Sequence, residues 1–261
     1  MGVAAKGQGW QVLLYPPRNA RGARLRWFIL PIMCYKTRGI ALHYIKYSET
    51  SIIARIFTEL FGRQTYLIQG VRARKPKHSI ALFQPLMPLD MVVYHKKQAS
   101  IQRVVEVKCH VPISNILESV SKAATATFLS ELLARVLHEE AQNESLFRFF
   151  LRAVIALNEL ETSHALFHLY FMLHLCSYLG FGVKGAQEID KQLVRLGLHQ
   201  AFSPEETALL DALLANDLNP KPFPNKQVRR RLTASVVKFY QLHIDSLDTF
   251  KSLKVLQEMN S

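Results

Sequence analysis

The densest group of chemically active side chains lies in residues 70–78, where four cations fall within six positions: Arg72, Arg74, Lys75 and Lys77. Cationic side chains on a loop neutralise phosphates and release the counterions condensed on a nucleic acid, a gain that salt weakens. More basic residues flank this loop, at Lys36, Arg38, Lys46, Arg55, Arg63, Lys96, Lys97, Arg103 and Lys108. A solvated loop would explain any one of these charges, but the whole set favours a polyanionic partner.

The charge of the whole chain is divided unevenly. The 261 residues carry a net charge of +13, and residues 1–110 hold 18 Lys and Arg against 4 Asp and Glu, whereas residues 111–261 hold 15 against 16. Nucleic acid is favoured over an anionic membrane, because no segment reads as a basic amphipathic helix and no apolar run reaches the length of a spanning helix. Aromatic residues in the basic half offer faces for stacking unpaired bases, at Tyr35, Tyr44, Tyr47, Tyr66, Phe83 and Tyr94.

Residue patterns typical of enzymes and metal sites are weak. His164 and His168 stand four residues apart with His174 beyond them, but no carboxylate lies between the first two, so we expect packing or exposure rather than metal binding. No phosphate-binding loop and no nucleophile elbow occurs. The four acidic residues of the basic half are too dispersed to hold the paired magnesium ions of a nuclease. The sequence therefore predicts no catalytic residue, no metal and no cofactor.

The cations must be positioned by a small β-domain. Short apolar or alternating runs predict strands at 39–44, 51–58, 65–68, 89–94 and 101–107, with prolines at 85 and 88 between the third and fourth. Closing five such strands into a barrel removes their exposed edges, and a five-stranded OB-fold is the common solution. We therefore expect an OB-fold nucleic-acid-binding domain over residues 33–112.

The second half of the chain has helical periodicity. Apolar residues predict helices over about 116–139, 146–160 and 164–179, with the third apolar on nearly all sides and central in a bundle. A capping box of Ser203 and Glu206 starts another helix, and a last helix is built around 228–240. The predicted fold class is α+β, an N-terminal barrel followed by an all-α domain over residues 113–261.

Residues 1–32 differ from the rest, with several glycines and prolines and an arginine group before a short apolar run. We expect a disordered basic extension, or translated upstream sequence with the natural start at Met33; a secretion signal fits less well because Pro31 interrupts the apolar run. Removing this segment leaves 13 basic and 4 acidic residues in 33–110, a net charge of +9. Three distant cysteines favour a reducing, cytoplasmic setting.

Several of these segments carry a family resemblance. Residues 36–40 (KTRGI), 47–51 (YSETS), 58–59 (TE), 61–63 (FGR), 70–72 (GVR), Ser79 and 83–85 (FQP) resemble the opening of the bacterial recombination mediator RecO. The ending is similar to that family's closing helices at Arg229, Arg230, Tyr240, His243 and 251–256 (KSLKVL). The resemblance runs from about Met33 to the C-terminus.

The resemblance implies an OB-fold joined to a helical domain and a non-enzymatic role in the RecF recombination pathway. It implies binding of single- and double-stranded DNA, annealing of strands coated by single-stranded-DNA-binding protein, and action with RecR to load RecA, in the cytoplasm at the nucleoid. By motif match, Lys36, Arg38, Arg72 and Arg74 are the implied DNA contacts. Lys75 and Lys77 extend the same loop on electrostatic grounds alone.

One departure from the family concerns zinc. Many members carry a four-cysteine zinc site after the segment that matches residues 179–182 (LGFG), whereas this sequence has no cysteine between Phe181 and Phe223. We therefore expect no zinc, and another kind of packing must stabilise that region.

Two other functions remain open. A protein-interaction adaptor could use the basic half to bind acidic protein tails. The tail of single-stranded-DNA-binding protein is acidic, so this hypothesis is compatible with DNA binding. An RNA-binding OB-fold protein would share the same electrostatics, because backbone contacts distinguish poorly between the two sugars.

Overall fold

Five segments with alternating burial form the strands of a closed barrel: β1 Cys34–Tyr47, β2 Ser51–Thr58, β3 Gly62–Ile68, β4 Pro88–Tyr94 and β5 Gln102–Cys109. The structure is a computed structural model, and it describes residues 34–76, 78–137, 142–161, 164–198, 200–245, 247 and 250–259. The strand order is β1-β2-β3-β5-β4, with β3 and β5 parallel and the other pairs antiparallel. This confirms the predicted five-stranded OB-fold; the predicted extension, residues 1–32, lies outside the described residues.

The first strand closes the barrel because it pairs on both of its edges. Its first seven residues pair with β4, and residues 39–47 pair with β2 across a bulge between Ala41 and His43. Gly39 lies at the crossover, where an added Cβ would come within 2.7 Å of the Ile56 side chain and 2.8 Å of Met91 Sδ. The strand begins five residues before the predicted start, since residues 34–38 gain their hydrogen bonds from β4, a long-range partner.

Inward-facing apolar side chains fill the barrel. Two of them, Tyr66 and Phe83, were predicted to stack on bases, and that prediction is wrong. Tyr66 lies on the inner face of β3 opposite Ala54, and Phe83 lies in a short 3₁₀ turn that packs into the core. Both rings are fully buried, so neither can stack on a base. The cost of exposing large aromatic surface to water explains why these two aromatics belong to the core.

Eight helices follow within the described ranges: α1 Ser114–Glu118, α2 Val120–Val136, α3 Glu144–Glu159, α4 Phe167–Leu179, α5 Ala186–Arg195, α6 Pro204–Leu214, α7 Lys226–His243 and α8 Lys251–Met259. The central apolar helix is α4, and the capping box of Ser203 and Glu206 begins α6, as predicted. The first predicted helix is divided, because Ser119 is extended and its hydroxyl accepts a hydrogen bond from the Lys122 amide. Helix α5 is not predicted from the sequence, because its buried residues are only Ala186, Ile189 and Leu193.

The helices cover part of the outer surface of the barrel. Phe57 of β2 packs against Phe147 and Phe150 of α3, with ring centroids 6.1 and 5.1 Å away. Arg63 Nη1 donates a hydrogen bond of 2.5 Å to the Ala134 carbonyl near the end of α2. The two halves of the chain therefore share one hydrophobic core.

Polar contacts to the backbone hold the region between α4 and α7. Asp211 accepts a hydrogen bond from the Ala186 amide at 2.7 Å, and Asp190 accepts one from the Phe202 amide at 2.8 Å. Within the described ranges, no group of three or more His, Cys, Asp and Glu residues is placed to hold a metal ion. Over the same ranges, no helix is both long enough and apolar enough to cross a lipid bilayer.

The histidines of α4 belong to the packing of the bundle. His168 is 3% exposed, and its Nε2 lies 2.7 Å from Thr233 Oγ1 of α7. Burial, and to a lesser degree the charge of Arg229, lowers the pKa of His168 to about 3, so the ring is neutral at ordinary pH. This confirms the expectation of packing for His168.

The last helix, α8, is anchored by the carboxylate of Glu131 in α2. Glu131 accepts hydrogen bonds from the backbone amides of Lys251 and Ser252 at 3.1 and 2.9 Å, and Arg135 pairs with it at 2.6 Å. A carboxylate at a helix N-terminus satisfies amides that have no partner within the helix. Burial acts to raise the pKa of Glu131, but the hydrogen bonds from Ser252 and Lys251 and the charge of Arg135 leave it lowered.

We expect Glu131→Gln to destabilise the protein by about 1–2 kcal/mol at pH 7, since it removes the charge that caps α8. The lowered folded-state pKa means that this stabilisation is present above the unfolded-state pKa of about 4.3 and is lost as the pH falls through the folded-state value. Urea unfolding at pH 7 and pH 3 measures both effects. Glu144→Gln, at an exposed position in the first turn of α3, is the matched control; an equal loss in the two variants would contradict the capping role.

Candidate nucleic-acid interface

A partly apolar row crosses the outer face of the barrel. Strand pairing places Ile45 opposite Ile53, Ile53 opposite Leu67, and Leu67 opposite Arg103. Ile45 is half exposed, while Ile53 and Leu67 are partly exposed, so α2 and α3 leave this part of the surface accessible. The adjacent row is polar and consists of His43, Arg55 and Thr65. This face combines positive charge with apolar surface.

A basic loop, residues 69–76, adjoins one end of this face. The Arg72 amide donates a 3.0 Å hydrogen bond to the Thr50 carbonyl in the β1–β2 turn, and Arg72 Nη1 donates a 3.3 Å hydrogen bond to the Ser48 carbonyl. Gly70 has φ +74, a left-handed conformation that glycine adopts without strain as the chain leaves β3. Arg72, Arg74 and Lys75 are exposed. The loop therefore rests on the β1–β2 turn while its cations face solvent.

A second basic loop, the β4–β5 hairpin of residues 95–101, adjoins the other end of the face. The His95 ring stacks on Phe61 of the β2–β3 turn with centroids 3.9 Å apart, which ties the base of the hairpin to the barrel. Lys96 and Lys97 are exposed at its tip. OB-folds bind oligonucleotides on the face of their second and third strands and at the β1–β2 and β4–β5 loops. Here the basic loop rests on the β1–β2 turn and the second basic loop is the β4–β5 hairpin, so the arrangement suits a polynucleotide.

The structure separates the six predicted contacts into two groups. Lys36 and Arg38 lie near the start of β1, whereas Arg72, Arg74 and Lys75 lie beside its far end. About 35 Å of strand separates Lys36 from the β1–β2 turn at an ordinary rise per residue. Lys77 lies outside the described residues. The two groups therefore do not form a single cluster.

Arg38 is occupied by an ion pair. Its Nε and Nη2 donate hydrogen bonds of 3.0 and 2.5 Å to the two carboxylate oxygens of Glu59, and its guanidinium lies 5.5 Å from the Phe147 ring centroid. The side-chain hydrogen bonds raise the pKa of Arg38 and lower that of Glu59. Arg38 thus links β1, the β2–β3 turn and α3, and much of its charge is already balanced. Its role as a DNA contact stays a prediction.

The outer face contains cations that the sequence assigns only to the general positive field, Arg55 and Arg103. The apolar row with Ile53 and Leu67 is not predicted from the sequence. One signal was available: Ile52 and Ile53 are both apolar, although a half-buried strand should alternate. An apolar residue on the outward side of such a strand indicates a covering element or a ligand.

Comparison with known proteins identifies the family of the chain. A model of the recombination protein O N-terminal domain matches residues 33–112, and a model of its C-terminal domain matches residues 117–254. The chain belongs to the RecO family. Its relatives include proteins called DNA repair protein RecO from Flavobacterium johnsoniae, 34% identical over 88% of this chain and 100% of the relative, and from Bacteroides fragilis, 32% identical over 87% and 99%.

Membership of the RecO family gives the chain a role in DNA repair and recombination. A third relative of the same description, from Phocaeicola vulgatus, is 30% identical over 88% of this chain and the full length of the relative. The match extends through both the barrel and the helices, which confirms the resemblance drawn from the sequence motifs.

Arg38→Met should destabilise the protein by about 1–2 kcal/mol, because it leaves Glu59 partly buried without its partner. Lys36→Met, two residues away on the same strand and exposed, should change stability by less than about 0.5 kcal/mol. Urea unfolding of both variants provides the comparison. If Arg38→Met were as stable as Lys36→Met, the ion pair with Glu59 would not contribute to the stability of the fold.

Proposed function

We propose that this RecO-family chain is a recombination mediator that binds single- and double-stranded DNA and anneals complementary strands. With RecR, it would load RecA onto DNA coated by single-stranded-DNA-binding protein, in the cytoplasm at the nucleoid. The observation that carries the proposal is the outer barrel face, flanked at one end by Arg72, Arg74 and Lys75 and at the other by Lys96 and Lys97. Residues 33–112 would bind nucleic acid, and residues 113–261 would support the barrel and dock partners.

The mechanism we infer is electrostatic. Cations at both ends of the face reduce the repulsion between two phosphate backbones, so complementary strands approach more closely than in free solution. The apolar row containing Ile53 and Leu67 can contact unpaired bases, and half-exposed Tyr47 offers a ring for stacking. Base pairing supplies the net free energy of annealing, so the proposed activity requires neither catalytic residues nor nucleotide hydrolysis.

The same face supports an interaction with acidic protein tails. A tail that combines carboxylates with apolar residues, such as that of single-stranded-DNA-binding protein, would find Arg55 and Arg103 beside Ile45, Ile53 and Leu67. Protein-tail and DNA binding would then compete for one surface. An RNA ligand would use the same contacts. A binding competition between matched DNA and RNA strands distinguishes a DNA-binding protein from an RNA-binding one.

We expect Arg72→Ala with Arg74→Ala to weaken DNA binding by a similar factor for all sequences and to reduce the salt slope by roughly two phosphate contacts. The reason is that both side chains are exposed on a loop and no base-specific geometry is required of them. Fluorescence anisotropy with single-stranded DNA at several salt concentrations measures the slope. Lys184→Ala with Lys191→Ala, which removes two exposed charges from the helical half, is the control.

An unchanged salt slope in the Arg72/Arg74 variant, or an equal reduction in the control, would exclude the basic loop as a DNA contact. Absence of any affinity of the full chain for DNA at moderate salt would instead favour the protein-tail adaptor.

Annealing should proceed without nucleotide and should slow as salt rises, because its rate depends on screened phosphate repulsion. Complementary strands labelled with a donor and an acceptor dye, with and without single-stranded-DNA-binding protein, provide the measurement. A strict requirement for a nucleoside triphosphate would contradict the proposed mechanism.

A further inference from the structure

One buried glutamine organises the β4–β5 hairpin. Gln102, the first residue of β5, is 3% exposed and directs its amide into the loop. Its Oε1 accepts a 2.9 Å hydrogen bond from the Lys96 amide, and its Nε2 donates hydrogen bonds of 2.9 and 2.8 Å to the carbonyls of Lys96 and Ala99. Both protons and the oxygen of the Gln102 side-chain amide therefore form hydrogen bonds, and every partner is a backbone group of this one loop.

This arrangement replaces the strand pairing that a tighter hairpin would provide. Residues 95–101 are too many for a two-residue turn, and within the loop the Ala99 amide bonds back to the Lys96 carbonyl at 3.1 Å. The Gln102 amide pairs with both the N–H and the C=O of Lys96, as a neighbouring strand would. Because Gln102 is shielded from water, competition from solvent for these bonds is small.

The residues held in this way are cationic and exposed. Lys96 and Lys97 lie at the tip of the hairpin, and Arg103, directly after Gln102, is exposed beside Leu67 on the outer face. Backbone bonds at Lys96 determine where these side chains leave the loop, while the side chains remain accessible. The hydrogen bonds therefore orient the charges without neutralising them.

We propose that Gln102 is a positioning residue for nucleic-acid binding, which holds the β4–β5 hairpin so that Lys96 and Lys97 meet a phosphate backbone. The inference rests on the proposed function, since it concerns the same interface. Gln102 touches no ligand itself. A loop that is already ordered loses less conformational freedom when it binds, and this is the source of the expected gain in affinity.

The test combines Gln102→Met with Lys96→Gln/Lys97→Gln in a double-mutant cycle on the full chain, with single-stranded DNA as the probe. Methionine keeps the length of the side chain and removes its hydrogen bonds. We expect Gln102→Met to weaken binding by about fivefold or more when both lysines are present and to have little effect when they are replaced. Hydrogen exchange should show lost protection at the Lys96 amide and retained protection at core amides such as Tyr66.

A control comes from the helical half of the chain. Tyr240 is fully buried, and its hydroxyl donates a 2.7 Å hydrogen bond to the Met172 carbonyl. Tyr240→Phe should also lower stability, yet leave DNA affinity within about twofold of the parent. A loss of affinity caused by general destabilisation would follow both variants equally.

The outcomes separate the inference from the proposed function. Equal effects of Gln102→Met with and without the two lysines would overturn the positioning role, even if the protein binds DNA. No effect of replacing the lysines would remove the hairpin from the interface and overturn the inference. Absence of DNA binding by the parent protein would contradict the proposed function itself.

Discussion

The arrangement of the barrel strands and their loops depends on one constraint, the closure of the barrel by β1. The strand is fourteen residues long because its first half pairs with β4 and its second half with β2. The bulge after Ala41 and the missing side chain at Gly39 allow the strand to turn sharply between the two pairings. Closure removes the free edges and brings the end of β4 to the start of β1, where Tyr94 pairs with Cys34. The outer face then lies between the basic loop, which contacts the β1–β2 turn, and the β4–β5 hairpin, which stacks on the β2–β3 turn.

The electrostatics of that face follow from how few carboxylates the barrel contains. Of the four acidic residues, Glu59 pairs with Arg38, and Asp90 lies 3.7 Å from Lys108 and 3.0 Å from His110. Glu106 is exposed on β5, and Glu49 is exposed in the β1–β2 turn beside the basic loop, whose cations outnumber it. The helices cover the part of the barrel near Phe57 and Arg63 and leave the rows at Ile53 and Arg55 accessible. Positive charge is thus located on accessible surface, which is what the binding of a polyanion requires.

The region between α4 and α7 shows how the helical half is stabilised. Ile189, Leu193, Leu210 and Leu213 are fully buried, and Asp190 and Asp211 accept hydrogen bonds from the backbone amides of Phe202 and Ala186. Apolar burial and satisfied amides both stabilise α5 and α6. A bundle organised in this way depends on packing, so substitutions in its core should be felt throughout the helices.

The sequence by itself determined the five strands, the central helix α4, the capping box of α6 and the membership of the RecO family, because these depend on local periodicity and short motifs. Tertiary structure alone decided that Arg38 is paired with Glu59, that Tyr66 and Phe83 are core residues, and that the predicted cations form two groups. It also showed the apolar row at Ile53 and the role of Gln102. Each of these depends on which distant segment lies beside a residue, and residue type and spacing do not contain that information.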